Sequence, residues 1–442
     1  MPSSRTDQRI PEGTFDRTPF EVDRDRVLYS YEFRRLAGVT QAANASEGPN
    51  LHNRLTHSLK VAQVGRRLAQ YLLKRYPTEV GECGGLDIDV VETACLAHDL
   101  GHPPFGHAAE SVLNSELAKV DTCLGFEGNA QSFRTVVYRS IRRTSSDGMN
   151  LAVATLNAVL KYPWSQADQQ GQTKKKWGYY PEESEAFEFA RGLVGPNRLH
   201  NQTLEAAAMD LADDIAYSVH DVDDFYRAGM IPLDQLICGA GERHRFLEWV
   251  SCHSKSSDFG FSVADVLEMG NNYFDSLLRT AKCLVSPFVN TREQLQDLHT
   301  LTSLHITRFL GCLDGPVPFE INPAAETQIV RSRWLNFEIM ILKLLMQRYV
   351  YQDNSLLAQQ HGHKRLIAEV FHALRISIGD HGGNGMVPRR FELDAREAKG
   401  DQILAARLAA DIVCSMDEPQ ILMFYQRLLG IRPGILAERL IY

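Results

Sequence analysis

No apolar run in this sequence approaches the roughly 18 residues that a membrane-spanning helix requires, so no association with a membrane is expected. Cysteine is sparse: the eight residues are scattered singly with no CxxC pair, which suits reduced, mostly buried thiols in a cytosol. Basic charge is not in excess either. Lys and Arg number 47 against 55 Asp and Glu, a net charge of -8, which argues against a generally basic nucleic-acid coat and leaves room only for local basic patches. The opening stretch MPSSRTDQRIPEG lacks the apolar segment of a secretory leader, and a cytoplasmic location is the expectation. Alternating strand patterns are scarce and there is no internal repeat.

What the chain does have is helical periodicity over most of its 442 residues, 44% of them hydrophobic, enough for a large core. Apolar stripes predict helices over 17–36, from Leu55 to a stop before Pro77, and over 126–142, 150–161, 183–193 and 200–228. Further helices are predicted over 232–250, 262–282, 291–311, 325–351, 361–378 and 400–428. The fold class read from this is all-α: a helical core with a helical C-terminal extension. The expected division is a flexible tail at 1–16, a core at 17–230 and a C-terminal region at 231–442 packing on the core.

One window concentrates the chemistry. ACLAHDLGHPPFGHAAE, Ala94 to Glu110, holds three histidines, an aspartate and a glutamate among two prolines and two glycines. His98 and Asp99 follow an apolar helical run, and polar groups in such a frame need a partner, for which a cation is the natural choice. Proline stops the helix after Asp99. A new helix starting near Phe105 would place His107 and Glu110, three apart, on one face. The reading is a metal pair followed by a general acid/base pair.

Three other segments offer partners. Arg54 and His57 share a face at i, i+3, and a guanidinium beside a metal makes a clamp for an anionic oxygen. In MDLADDIAYSVHDVDDFY, Asp213, Tyr217 and Asp221 form one stripe. Facing outward it is an ordinary acidic surface; facing inward it supplies a carboxylate ligand, a ring and an acceptor. Two histidines and two carboxylates suit Mg²⁺, Mn²⁺ or Fe²⁺ more than a closed structural zinc. The loop KYPWSQADQQGQTKKKWGYYPEE mixes Lys161, Lys174, Lys175 and Lys176 with Tyr162, Tyr179 and Tyr180. It is either a solvated charge run or a grip for a polyphosphate.

RTPF, DRDRVLYS, FRRL, Thr40–Gln41, NRLTHS, HDLGHPPFGHAAE, FEGNAQ, LKYP, KWGYY and DLADDIAYSVHD occur together and in this order over residues 17 to 228. This set resembles the deoxyguanosinetriphosphate triphosphohydrolases of the HD-domain superfamily; the C-terminal half is similar only loosely. The resemblance implies a deoxynucleoside triphosphate (dNTP) as substrate, cut between the 5′-oxygen and the α-phosphorus to give deoxynucleoside and triphosphate. It implies His57, His98, Asp99 and Asp213 as metal ligands and His107 with Glu110 as the catalytic pair. Arg54 and Lys176 would hold phosphates with Lys161 and Tyr162 close by, and Gln41 and Asn150 would contact sugar and base. Tyr217 and Asp221 would line the deoxyribose pocket, and His102 is counted with the substrate-binding side chains. The implied cofactor is a divalent ion, Mn²⁺ or Mg²⁺, with Fe²⁺ and Zn²⁺ as further candidates. The implied assembly is a homo-oligomer, a hexamer in relatives, with a second dNTP or single-stranded DNA as effector.

The chain departs from the family pattern in three places. TQAAN stands where many relatives read TQVF, Ala152 replaces a threonine in Gly148–Ala152, and Met416-Asp417-Glu418-Pro419 stands where relatives often read MTDR. Two other readings fit the residues less well. An HD-type nucleotidase or phosphodiesterase acting on a monophosphate or signalling nucleotide would have no use for three lysines. A nucleotide- or DNA-sensing regulator with little catalysis could hold single strands on Arg139, Arg142 and Arg143, which read equally as a solvated helix end.

Overall fold

Helices begin where a short polar side chain can take up the first free amides. Thr18 caps the helix Pro19–Leu28 in a capping box with Glu21, and proline opens the first turn. Asp87 caps Ile88–Ala97 through the amides of Asp89 and Val90, and Glu127 caps Gly128–Arg134 through Asn129 and Ala130. The computed structural model describes residues 2–13, 16–41, 52–143, 146–169, 176–313, 315–383 and 385–431; the polar loop Asn44–Asn50 and the lysines Lys174 and Lys175 lie outside them. Among the described residues, strand is confined to two short antiparallel hairpins, Ile141–Arg143 with Ser146–Asp147 and Phe319–Ile321 with Ile329–Arg331. The fold is all-α, and no described helix is long and apolar enough to cross a membrane.

Differences from the periodicity reading have local causes. The helix expected over 325–351 begins only at Arg333, because Ile329–Arg331 pairs with the preceding strand and Ser332 caps the helix. The one expected over 400–428 is two helices, Gln402–Cys414 and Glu418–Leu428, the second started by an Asp417 capping box. Gly239 splits the one at 232–250; a Cβ there would lie 2.6 Å from the Gln235 carbonyl oxygen.

The chain packs as two compact units, whereas the sequence reading put one boundary at 230. The first unit takes its described residues from 1–62, 87–209 and 358–442, the second from 63–86 and 210–357. Interleaving follows from where the apolar faces go. In the first unit, Ala109, Leu113 and Leu117 of His107–Val120 share a core with Val370, Phe371, Leu374, Ala409 and Ile412, more than 250 residues later. Each such large side chain contributes roughly 1.5–3 kcal/mol on burial. Ile88–Ala97 packs against Pro19–Leu28 and Val153–Val159 in the same unit. The expected tail at 1–16 is tied down where it is described: Val153 N donates to Asp7 O at 2.8 Å, Ala154 N to Arg5 O at 3.0 Å, and Arg5 pairs with the buried Glu205. In the second unit, Phe246 meets Phe274 edge-on at 6.2 Å, and His305 is buried between Tyr273 Oη and the Leu301 carbonyl.

Candidate active site

The site begins where an apolar helix runs out. Val90, Val91, Ala94, Cys95 and Ala97 are wholly buried, and the chain leaves the helix Ile88–Ala97 at His98. His98 Nδ1 donates to the Cys95 carbonyl at 2.6 Å. A carbonyl can only accept, so Nδ1 carries the proton and Nε2 presents its lone pair. His57, in the first turn of Arg54–Arg75, brings its ring centroid to 5.6 Å from that of His98. One ligand atom from each of His57, His98 and Asp99 lies within 4.8 Å of the others, and all three residues are buried. Two imidazoles and a carboxylate this close, one imidazole oriented from behind by a backbone carbonyl, are a donor set that fits a divalent cation.

Asp99 is the hub of the charge. Its Oδ2 accepts from Arg54 Nη1 at 2.6 Å and lies 3.5 Å from His98 Nε2, while Oδ1 lies 3.0 Å from His102 Nδ1. Burial pushes the carboxyl up, but Arg54 and the neighbouring histidines outweigh it and hold Asp99 well below the usual carboxylate range. His102 goes the other way. Burial first, and the Arg54 charge second, push it down to about 3, so the ring is neutral. Arg54, read from the sequence as a phosphate clamp, therefore spends one nitrogen on Asp99; its Nε is buried without a hydrogen-bond partner among the described residues.

The loop from His98 onward is held by groups that sequence reasoning did not single out. Ser132 Oγ donates to the His98 carbonyl at 2.8 Å and accepts from Gly101 N at 3.0 Å. A Cβ at Gly101 would lie 2.1 Å from Ser132 N, so only glycine permits that approach. Arg35, buried, donates to the Leu100 and His102 carbonyls, both at 2.8 Å. FRRL was part of the motif set, but nothing local shows that its second arginine reaches a loop 65 residues on.

The second element is the expected pair. His107 Nδ1 and Glu110 Oε2 are 2.7 Å apart, and Glu110 Oε1 accepts from Gly128 N at 3.1 Å. Burial opposes the charge of Glu110, but the hydrogen bond from His107 and nearby positive charge bring it down to about 2. An ionised carboxylate accepts only, so His107 donates from Nδ1 and presents the lone pair of Nε2. That ring is 70% exposed, while its glutamate is 15% exposed. His102, His107 and Glu110 also form a second group with ligand atoms within 4.8 Å.

The remaining candidates divide. Lys176 Nζ stands 4.0 Å from Glu127 Oε1 and 6.0 Å from the Tyr162 ring centroid, and Lys161 gives its carbonyl to Gln202 Nε2 at 2.9 Å. Gln41 follows the Thr40–Asn53 bridge, and its Oε1 is buried with no hydrogen-bond partner among the described residues. Asn150, at φ 52°, has its side chain taken by the backbone of Ile10 at 3.0 and 2.7 Å and by Glu12 at 2.9 Å. Of the suggested strand-binding patch, Arg139 pairs with Asp411 and Asp394 and Arg142 with Glu12, while the side chain of Arg143 lies outside what is described. In the second unit, Asp213, Tyr217 and Asp221 share the helix Leu204–Arg227, with Asp221 buried and the other two half-buried. Tyr217 Oη meets Tyr351 Oη at 2.5 Å, and burial first, then Tyr351 and Asp221, raise its phenol well above the ordinary value.

The chain is similar to known proteins over most of its length. The HD domain family matches residues 54–218 and the phosphohydrolase-associated domain matches 329–427. A deoxyguanosinetriphosphate triphosphohydrolase-like protein of Corynebacterium efficiens is 32% identical over 92% of this chain and 90% of its own length. One of Streptomyces coelicolor is 32% identical over 95% of each chain. A third, of Caulobacter vibrioides, is 40% identical over 53% of this chain and 54% of its own. With a histidine-aspartate metal group inside the matched segment and full-length likeness on either side of it, the chain belongs to the deoxyguanosinetriphosphate triphosphohydrolase-like family of HD-domain phosphohydrolases.

Proposed function

We propose that the protein hydrolyses deoxynucleoside triphosphates to deoxynucleoside and inorganic triphosphate, with Mn²⁺ or Mg²⁺ as cofactor. The observation that supports this reading is the contact of His107 with Glu110, in the same unit as His57, His98 and Asp99, whose ligand atoms lie within 4.8 Å of one another. Asp213 is proposed as the fourth ligand. A cation held by these residues would offset charge developing on the α-phosphate and activate a water.

The protein's own groups do the rest. Glu110 keeps the His107 proton on Nδ1, leaving Nε2 to exchange a proton during displacement of the 5′-oxygen. Arg54 orients Asp99 and keeps it ionised. Lys161 and Lys176, beside Tyr162, offer cations to the triphosphate tail, and a monophosphate would leave them idle. Gln41 has a buried acceptor available for a base or sugar donor. Tyr217, with Asp221, would pack under the deoxyribose and exclude a 2′-hydroxyl. The same reading carries an assembly of several copies, which light scattering would test.

The activity test is incubation with each dNTP and Mn²⁺ or Mg²⁺, products separated by ion chromatography, with ribonucleotides and monophosphates as controls. Triphosphate in amounts equal to deoxynucleoside is the expected result. Pyrophosphate in its place, or no product, overturns the reading.

A further inference from the structure

The segment that departs from the family pattern near the C-terminus reaches the active-site loop. Glu418 opens the helix Glu418–Leu428, where an acidic side chain ordinarily does no more than favour the helix dipole. Here it is 3% exposed and its Oε1 accepts two bonds from elsewhere in the first unit: from Thr40 N at 2.7 Å and from Phe105 N at 3.0 Å. Thr40 precedes Gln41, and Phe105 comes two residues before His107. Phe105 has φ 65° and Gly106 has φ 56°, a left-handed pair of which the first is unfavourable for a residue with a side chain. Such a turn persists only where its surroundings hold it. The Phe105 ring is held by a stack on His363 at 3.9 Å between centroids, and its amide by Glu418. Two residues before Glu418, the Met416 carbonyl accepts from Arg35, whose guanidinium also holds the carbonyls of Leu100 and His102. The strap 416–418 thus meets both ends of the loop that carries the histidines.

We propose that Glu418 is a positioning residue: one carboxylate oxygen ties the Thr40–Gln41 segment to the Phe105 turn and thereby fixes where His107 and Gln41 stand in the active site. The consequence for activity rests on the triphosphohydrolase reading; the tie itself does not. Both of these bonds come from backbone amides, and the Thr40 side chain is a further donor to the carboxylate, so what matters is an acceptor at that point, not the charge. Glu418→Gln retains the acceptor, Glu418→Asp withdraws it by one methylene, and Glu418→Ala removes it.

The experiment compares these variants in kcat and KM for a dNTP, and in hydrogen exchange at the amides of Thr40 and Phe105. Misplacement of a reacting group by about 1 Å can cost about 100-fold, so Glu418→Ala is expected to lose about 10- to 100-fold in kcat and to raise KM through Gln41. Glu418→Gln should stay within about threefold of the parent, since a neutral acceptor satisfies the same amides. Both amides should exchange faster in the Ala and Asp variants and keep their protection in the Gln variant. A Gln variant as poor as the Asp variant, parental activity without the acceptor, or unchanged exchange at both amides in the Asp variant would overturn the proposal. If the Ala variant does not fold, the Asp and Gln pair decides. If the parent cleaves no dNTP, the functional reading fails and amide exchange alone decides the tie.

Discussion

Asp99 and Asp411 are both buried carboxylates of the first unit that take up arginine, and they differ in what is left over. Asp411 accepts from Gln131 Nε2 at 2.8 Å, Arg134 Nε at 2.9 Å and Arg139 Nε at 2.8 Å, and Arg134 also binds the buried Glu183. Its surroundings are donors that cannot give up a proton at neutral pH. Asp99 has one arginine, and its other neighbours are imidazoles with lone pairs. The first arrangement is saturated and cements helices together; the second has ligand atoms to share with a cation. A buried Arg–Asp pair is therefore no sign of function until its other neighbours are counted.

Removing a partner from the saturated centre should cost most. Asp411→Ala removes the carboxylate that Arg134 and Arg139 share, leaving them only Glu183 and Asp394, and should lose about 3–5 kcal/mol in urea unfolding, with kcat/KM of the folded fraction close to parental. Equal loss of activity and stability would erase the contrast. At the other centre, Asp99→Ala should lower activity more than about 100-fold, beyond the loss usual for an outer-sphere partner. Steady-state rates check this, and a merely tenfold loss would make Asp99 such a partner.

Metal removal sharpens the contrast further. Mn²⁺ at about 100 times its dissociation constant should stabilise the parent by about 2.7 kcal/mol, an effect reversed by chelation. The shift in Tm should persist in Asp411→Ala and vanish in His98→Ala. The smallest effect concerns pH. Burial pushes Glu183 up to about 7 from 4.5, with Arg134 opposing. A folded-state value above the unfolded one gives a contribution present below about pH 4.5 and lost as pH rises through about 7. Between pH 5 and 8 the parent should therefore lose stability relative to Glu183→Gln, and parallel Tm curves for the two would show that Arg134 alone sets the charge.

The local parts of the site were legible in the sequence and the distant ones were not. His98, Asp99, His107 and Glu110 lie within 13 positions, and an apolar run ending in His-Asp-Leu-Gly-His-Pro-Pro demands a compensating partner whatever the fold. The spacing of Arg54 and His57 likewise revealed a shared face. Glu418, Arg35 and Ser132 act through backbone groups on other segments, and no periodicity encodes such a reach. Asn150 shows the limit of resemblance: it matches a sugar and base contact, yet its amide is occupied by Ile10 and Glu12. The helix break at Ser415–Asp417 was missed because the apolar stripe continues across it.

The docked beginning of the chain has a practical side. Residues 5 to 12 hold Glu205, Val153, Ala154 and Asn150, so this short stretch acts as mortar for segments that follow far downstream. Trimming them to obtain a tidier protein would bare a buried glutamate and a left-handed asparagine at once. Affinity tags and fusions should therefore be tried with those residues kept intact.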